Sequence, residues 1–377
     1  MAIQLCVPRE QRQGEHRVAL VPDIAKRLIE QGVNVSVESS AGEAVGFLDD
    51  HYEEVSIASN REQMLGGADI TLVVSPPDNT LIQQLREGSV LIGFLNPFAE
   101  PERFELLKSR NISAFSVELI PRISRAQAMD ALSSQASIAG YKAVLMAANM
   151  LGKFLPMLTT AAGTIRPSKA LIIGAGVAGL QAIATARRLG AIVEAYDVRA
   201  AVKEQVESLG ARFVDVSIAA EGSGGYAREL TEEEKQQQQE ILAKHVAAAD
   251  IIVSTAAIPG RPSPRIISSA MVEGMKAGSV IIDMAAEGGG NCELTKAGET
   301  VTHQGVIIHG PINLPATVGN HASELYSKNL MSFLDLLLKD ESINIDLEDE
   351  IISDSLLTHE GEIRNASIKE KLEGGSS

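Results

Sequence analysis

Short apolar runs alternate with helically spaced apolar positions along nearly the whole chain. In the first third, IQLCVP (3–8), VNVSVES (33–39), DITLVVS (69–75), SVLIGFL (89–95) and ISAFSVE (112–118) predict strands. Helical patterns lie between them, as over Asp23–Gln31 and Pro101–Arg110. From residue 169 the rhythm restarts with KALIIGAG, AIVEAYD (191–197), RFVDV (212–216), DIIVST (250–255), SVIIDMA (279–285) and GVIIHG (305–310). Parallel crossovers are right-handed, so this alternation predicts an α/β chain with two doubly wound, Rossmann-like domains and a cleft between them.

An Ala-rich helical region from Ser124 to Leu155, stopped by Pro156, and the helical pattern HASELYSKNLMSFLDLLLK (321–339) are expected to link the domains as long helices. The expected division is 1–135 with 325–377 for one domain and 136–324 for the other. Beyond Asp340 the chain is acidic, with a hairpin expected within 343–363 and a frayed polar end, EGGSS. The segment 217–239, with Gly225 and Tyr226 inside it, reads either as a functional mobile loop or as a surface excursion.

Composition narrows the function. Of the 377 residues, 45% are apolar and 3% aromatic, with no Trp, so the cores must be built from aliphatic side chains and Ala. A formal charge of −16 argues against nucleic acid and against adsorption to anionic lipid. The cysteines, Cys6 and Cys292, stand in no metal-ligand spacing, so no metal is expected and a reducing compartment is. No run supplies the ~20 apolar residues of a membrane span, which points to a chain that is soluble by itself.

Residues 170–197, ALIIGAGVAGLQAIATARRLGAIVEAYD, carry Gly174, Gly176 and Gly179 as G-x-G-x-x-G. The motif alone is weak. Here it follows an apolar strand, opens a helix, and precedes a second strand ending at Asp197, 23 residues beyond Gly174. Gly174 permits the tight turn, Gly176 the approach of a pyrophosphate, and Gly179 close packing of helix on strand. The helix N-terminus offers free N–H groups and partial positive charge to the phosphates. Asp197 is placed to accept the ribose hydroxyls and to repel a 2′-phosphate, favouring NAD over NADP; Arg199, two residues on, softens that repulsion.

A second polar stretch, RISRAQAMDALSSQ (122–135), is harder to read. Ser124 and Gln127 form an S-x-x-Q capping box that would start a helix at Arg125. Gln127, Asp130 and Ser133 or Ser134 would then share one helix face, with Arg122 within reach of the first turn. A nicotinamide carboxamide needs one acceptor and one donor, and this face supplies both. Helix geometry alone is equally compatible with a surface helix.

PREQRQGEHRVALVP, PRISRAQAMDALSSQASIAGYKAV, TAAGTIRPSKALIIGAGVAGLQAIATARRLGA, YDVRAAVKEQVESLGARFV, GGYARE and VIIDMAAEGGGNCELT together resemble the NAD(H)-binding alpha subunit of proton-translocating NAD(P)+ transhydrogenase. The resemblance runs to about residue 365, with alanine dehydrogenases as wider relatives. It implies hydride exchange with NADP(H) bound on a partner subunit, coupled to proton movement through a membrane-spanning subunit. It implies a homodimer, cytoplasmic and peripheral on the inner membrane through those partners. By motif, Arg122, Gln127, Asp130 and Ser133 correspond to nicotinamide-side contacts, and Gly174, Ala175, Gly176, Val177 and Ala178, with Asp197 and Val198, to pyrophosphate and adenosine contacts. Gly225 and Tyr226 fall in the family's mobile loop, and Ala256 and Ala257 in its nucleotide contact after a strand.

The rival reading is an alanine dehydrogenase-like amino-acid oxidoreductase, which needs an acid/base at the amino carbon. Those relatives carry a Lys and a His where this chain has Val73 and Asn96, and an Asp matched only by Glu287, while Arg17 is kept. Direct transfer between two nicotinamides consumes no substrate proton and is a problem of positioning. A nucleotide sensor without turnover is the third possibility.

Overall fold

The computed structural model describes residues 2–98, 100, 102–215, 232–257 and 261–374. Gly225 and Tyr226 lie outside these residues, as does the 217–239 loop as far as 231. The chain forms two compact units, Met1–Gln135 with Pro315–Ser377, and Ala136–Leu314.

In the first unit β1 (Gln4–Val7) leads through α1 (Pro22–Glu30) to β2 (Asn34–Glu38) and β3 (Ser56–Ala58). Then follow α2 (Arg61–Gly67), β4 (Ile70–Leu72), α3 (Asn79–Gln84), β5 (Val90–Gly93), α4 (Glu102–Ser109) and β6 (Ser113–Ser116). These strands are all parallel, in the order β6-β5-β4-β1-β2-β3. The chain therefore winds outward from β1 to one edge and resumes on the other side at β4. Alternation along β1 sends Leu5 and Val7 to a core with Ile24 and Leu28 of α1, and Cys6 to the opposite core with Phe104 and Leu107 of α4. Burial on both faces is why the central strands β4 and β5, buried at every position, read as mainly apolar runs.

The second unit holds most of α5 (Ala131–Met150) and the hairpin β7 (Leu158–Thr160) and β8 (Gly163–Ile165). Its sheet takes β9 (Lys169–Ile173), β10 (Ile192–Tyr196) and β11 (Arg212–Phe213), with α6 (Val177–Arg188) and α7 (Lys203–Ser208) between them. After α8 (Glu232–Ala248) come β12 (Ile251–Ser254), α9 (Ser269–Glu273), β13 (Val280–Asp283), β14 (Thr300–His303) and β15 (Val306–His309). The order is β11-β10-β9-β12-β13-β15-β14, parallel except for β14. Ala170 and Ile172 of β9 pack against Ala143 and Ala147 of α5 and Ala182 and Ala186 of α6, whose small side chains bring helix and sheet close. Leu171 and Ile173 face Leu242 and Val246 of α8.

The return to the first unit falls at Pro315, ahead of the boundary expected at 325. The reason is α10 (Gly319–Leu337), which is bound to the first unit from its start: Ser323 Oγ accepts Val18 N and Ser327 Oγ accepts Val21 N, both at 3.0 Å. Tyr326, Leu330, Phe333 and Leu334 are buried in that unit's core, and Tyr326 Oη donates to Val73 O at 2.7 Å.

The acidic tail proved to be structural. After the short pair β16 (Leu338–Lys339) and β17 (Ser342–Ile343), α11 (Glu350–Ser355) leads to β18 (Leu356–His359), which pairs antiparallel with β6. β19 (Glu362–Ile363) closes a hairpin on it, completing an eight-stranded sheet, and α12 (Ala366–Gly374) follows. Among the described residues no helix is long and apolar enough to cross a membrane.

Candidate functional site

In the second unit β9 runs straight into the G-x-G-x-x-G loop. Gly174 has φ of +92°, and a Cβ there would lie 2.6 Å from Thr255 Oγ1. A Cβ on Gly179 would lie 1.8 Å from Gly174 O, so α6 leaves the loop too closely for any side chain. Gly176, at the N-cap of α6, differs: among the described residues a Cβ there would meet nothing within 4 Å, and no side chain caps the helix. The N–H groups of the first turn, with Val177 and Ala178, are thus left for an incoming acceptor at the positive end of the helix. These residues fit a dinucleotide pyrophosphate.

Asp197, just past β10, is buried and fully engaged. Its Oδ2 accepts Ala175 N at 2.8 Å and Arg199 Nη2 at 3.0 Å; Oδ1 accepts Arg199 N at 2.8 Å and Arg199 Nε at 3.0 Å. Burial pushes this carboxyl up, but the hydrogen bonds from Arg199 and Ala175 prevail and hold it below the usual range. Val198 is 83% exposed beside it.

Sequence reasoning missed the groups that hold the opposite wall. Thr255 Oγ1 donates to Ile173 O and Gly174 O at 3.2 and 3.0 Å, tying β12 to the glycine loop. Asn291, fully buried, grips Ala256 on both sides: its Oδ1 accepts Ala256 N at 3.1 Å and its Nδ2 donates to Ala256 O at 2.7 Å. Asp283 accepts Ser254 Oγ, Ala285 N, Cys292 N and Thr295 Oγ1, fixing the turn that carries Asn291. Gly140 of α5 lets that helix meet the start of α6, since a Cβ would lie 2.1 Å from Ala178 O. Ala257, next to Ala256, is exposed.

In the first unit the expected capping box does not form. Ser124–Met129 is a 3-10 helix whose N-cap, Ile123, makes no side-chain bond. The α-helix begins at Ala131, capped by Asp130: Oδ1 accepts Ser133 N at 2.8 Å and Oδ2 accepts Ser133 Oγ at 2.6 Å. A carboxylate is the stronger acceptor at a positive helix end, so D-x-x-S prevails over S-x-x-Q. Gln127 therefore does not share one α-helical face with Asp130 and Ser133. Arg122 and Gln127 are exposed, and among the described residues neither side chain makes a hydrogen bond. Arg125 instead forks onto Asp349 at 2.7 and 2.9 Å.

Arg17 is buried and paired. Its Nε and Nη2 donate to Glu15 at 2.8 and 2.6 Å and its Nη1 to Gln135 Oε1 at 2.9 Å. Val73 is buried against Gly93, and Asn96, with φ of +47°, is held through its N–H by Glu118 Oε1 at 2.8 Å. Neither Val73 nor Asn96 has a side chain that exchanges protons near neutral pH. Glu287 lies exposed in the 3-10 turn Ala286–Gly288.

Comparison with known proteins agrees with this architecture. The family model described as Alanine dehydrogenase/PNT, N-terminal domain matches residues 6–139, and its C-terminal domain counterpart matches 143–366. The first portion of a divided NAD(P) transhydrogenase subunit alpha, from Rhodospirillum rubrum, is 45% identical over 97% of this chain and 99% of its own length. Its Rickettsia prowazekii counterpart is 43% identical over 97% of each. A solved transhydrogenase from Sinorhizobium meliloti matches with a TM-score of 0.87 at 41% identity, covering 96% of this chain and 99% of that one. An L-alanine dehydrogenase structure, at 23% identity and a TM-score of 0.82 over the whole of both chains, shares the fold. The chain belongs to the alanine dehydrogenase/PNT family, and within it to the NAD(P) transhydrogenase alpha subunits.

Proposed function

We propose that the chain is the NAD(H)-binding component of a proton-translocating transhydrogenase, working with an NADP(H)-binding subunit and a membrane-spanning subunit. The observation that carries this reading is the uncapped N-terminus of α6 behind the open side of Gly176, with the Asp197 carboxylate beside it. Bound NADH supplies a hydride, which passes to NADP+ on the partner subunit. The chain's own residues bind and aim. Val177 and Ala178 offer N–H groups to the pyrophosphate, and Asp197, once Arg199 swings aside, accepts the adenosine ribose. Ala256, held by Asn291, and Ala257 border the nucleotide.

On the nicotinamide side we assign Arg122, Gln127, Asp130 and Ser133. The cap between Asp130 and Ser133 fixes both side chains, which pre-organises them as ligands. Two ring carbons exchanging a hydride need no acid or base, which fits Val73 and Asn96. In this reading the chain sits on the cytoplasmic face of the inner membrane through its partners and acts as a homodimer.

Fluorescence titration tests the reading: NADH should bind more tightly than NADPH, and alanine with NAD+ should yield no NADH. Tight NADPH binding with steady alanine oxidation would replace it with the amino-acid dehydrogenase reading.

A further inference from the structure

Both sheets are doubly wound, and each has one place where the strand order reverses. In the second unit it lies between β9 and β12, where the glycine loop and Thr255–Ala257 meet. In the first unit it lies between β1 and β4. Open α/β sheets bind ligands at this crevice, outside the carboxyl ends of the strands. The first unit has a cavity of about 440 Å³ there, bounded by the segment after β1, the segment after β4 and the start of α4.

The cavity is built rather than incidental. Glu10, after β1, accepts Val74 N and Ser75 N after β4 at 2.6 and 3.2 Å, which joins the two segments across the crevice. Arg61 Nη1 donates to Glu38 Oε2 at 2.8 Å and to Arg9 O at 3.0 Å, fixing the segment from its other side. Arg103, its side chain only 7% exposed, reaches in from α4 and is braced by Leu95 O at 3.1 Å and by Glu100.

We infer that this cavity is a second binding site, for a small polyanionic metabolite carrying carboxylate or phosphate groups. Four arginines line it, Arg9, Arg12, Arg61 and Arg103, against the carboxyls of Glu10, Asp78 and Glu100. Such a concentration of guanidinium groups stands out in a chain of net charge −16, and a concave, positively charged site focuses anions. Guanidinium groups match carboxylate and phosphate geometry bidentately. A dinucleotide is disfavoured: the segment after β1 has no G-x-G-x-x-G, and α1 starts only at Pro22, so β1 does not run directly into a helix N-terminus as β9 does. The volume suits a ligand of metabolite size. Burial also pushes the Glu10 carboxyl up to about 7, which lessens the negative charge that an anion meets near neutral pH.

The chain has no Trp, so Asn79→Trp places a single fluorophore on the rim of the cavity. Citrate and inorganic pyrophosphate are titrated separately at constant ionic strength, with calorimetry on the unsubstituted chain as a reporter-free duplicate. At least one of them should bind saturably; citrate alone identifies a carboxylate site, and pyrophosphate alone a phosphate site. Arg9→Gln with Arg12→Gln, both exposed positions, should weaken binding about tenfold or more and leave NADH affinity unchanged. No saturable response, equal binding in the double variant, or displacement of the anion by NADH would each overturn it.

Discussion

Arg199 covers the carboxylate of Asp197 with a fork of two hydrogen bonds, each 3.0 Å long, while two backbone N–H groups fill the remaining acceptor positions at 2.8 Å. A carboxylate has about four acceptor sites, so a ribose can be accepted only after Arg199 turns away. Its side chain is 59% exposed, which makes that movement inexpensive. The two residues should therefore act in opposite directions. Asp197→Ala is expected to weaken NADH binding about tenfold and to narrow the preference over NADPH. Arg199→Ala is expected to widen that preference, because a free carboxylate repels the 2′-phosphate more strongly. Titration of both variants with both nucleotides checks this; a shift in the same direction for the two would refute it.

Two glycines of the motif and one of α5 should separate by the space around them. Gly179→Ala forces a Cβ onto Gly174 O and should destabilise the fold by about 2 kcal/mol or more. Gly140→Ala meets Ala178 O and should behave similarly. Gly176→Ala has room, so stability should stay within about 0.5 kcal/mol while NADH binding falls. Thermal melts paired with NADH titrations distinguish the two kinds of loss.

Stability should depend on pH through Glu10. Its carboxyl is pushed by burial to about 7, above its value in the unfolded chain, so the folded state holds this proton more tightly. That contribution is complete below the unfolded value and is lost as pH rises through about 7. Asp197 and Asp250 are depressed instead, so their contributions are lost only in acid, below the unfolded carboxylate range. Burial lowers His309 and His359, which acts in the opposite sense over the same interval, so the difference isolates Glu10: the melting temperature of Glu10→Gln minus that of the unsubstituted chain should rise between pH 5 and 8. A difference that is flat or falling over this interval would contradict the assignment.

Among the described residues the hairpin of β7 and β8 pairs with no other strand, and an isolated hairpin is marginal in water. Phe154, Met157 and Ile165, at or beside it, are 53%, 65% and 48% exposed. We expect a second copy of the chain to cover them. Met157→Asp should shift the mass measured by light scattering from dimer toward monomer, with NADH affinity retained; an unchanged dimer would place the interface elsewhere.

The parts of the fold most legible in the sequence were the strands buried on both faces. Ile70–Leu72 and Val280–Asp283 are mainly apolar and buried at every position because helices cover both sides of the sheet. Edge elements left weaker traces. β3 is only Ser-Ile-Ala and mostly exposed, and β18 emerges from an acidic stretch whose pairing with β6 is set by tertiary packing. The glycine loop was legible because each glycine answers a steric demand. The start of α5 was misread because two capping patterns overlap within ten residues, and the charged one prevailed. Gly140, Asn291 and Thr255 carry no local signal, since each acts on backbone distant in sequence. Nor does spacing alone tell that Arg199 turns back onto Asp197.

In the proposed function this chain aims a reduced nicotinamide at a nucleotide held by another subunit. The direct measurement is rapid mixing of the NADH-loaded chain with the NADP(H)-binding subunit carrying an NADP+ analogue whose reduction absorbs at a separate wavelength. Transfer should require both proteins, slow when Gln127 or Arg122 is replaced, and not respond to added alanine. Absence of transfer in the mixture, together with steady turnover of an amino or keto acid by the chain alone, would contradict it.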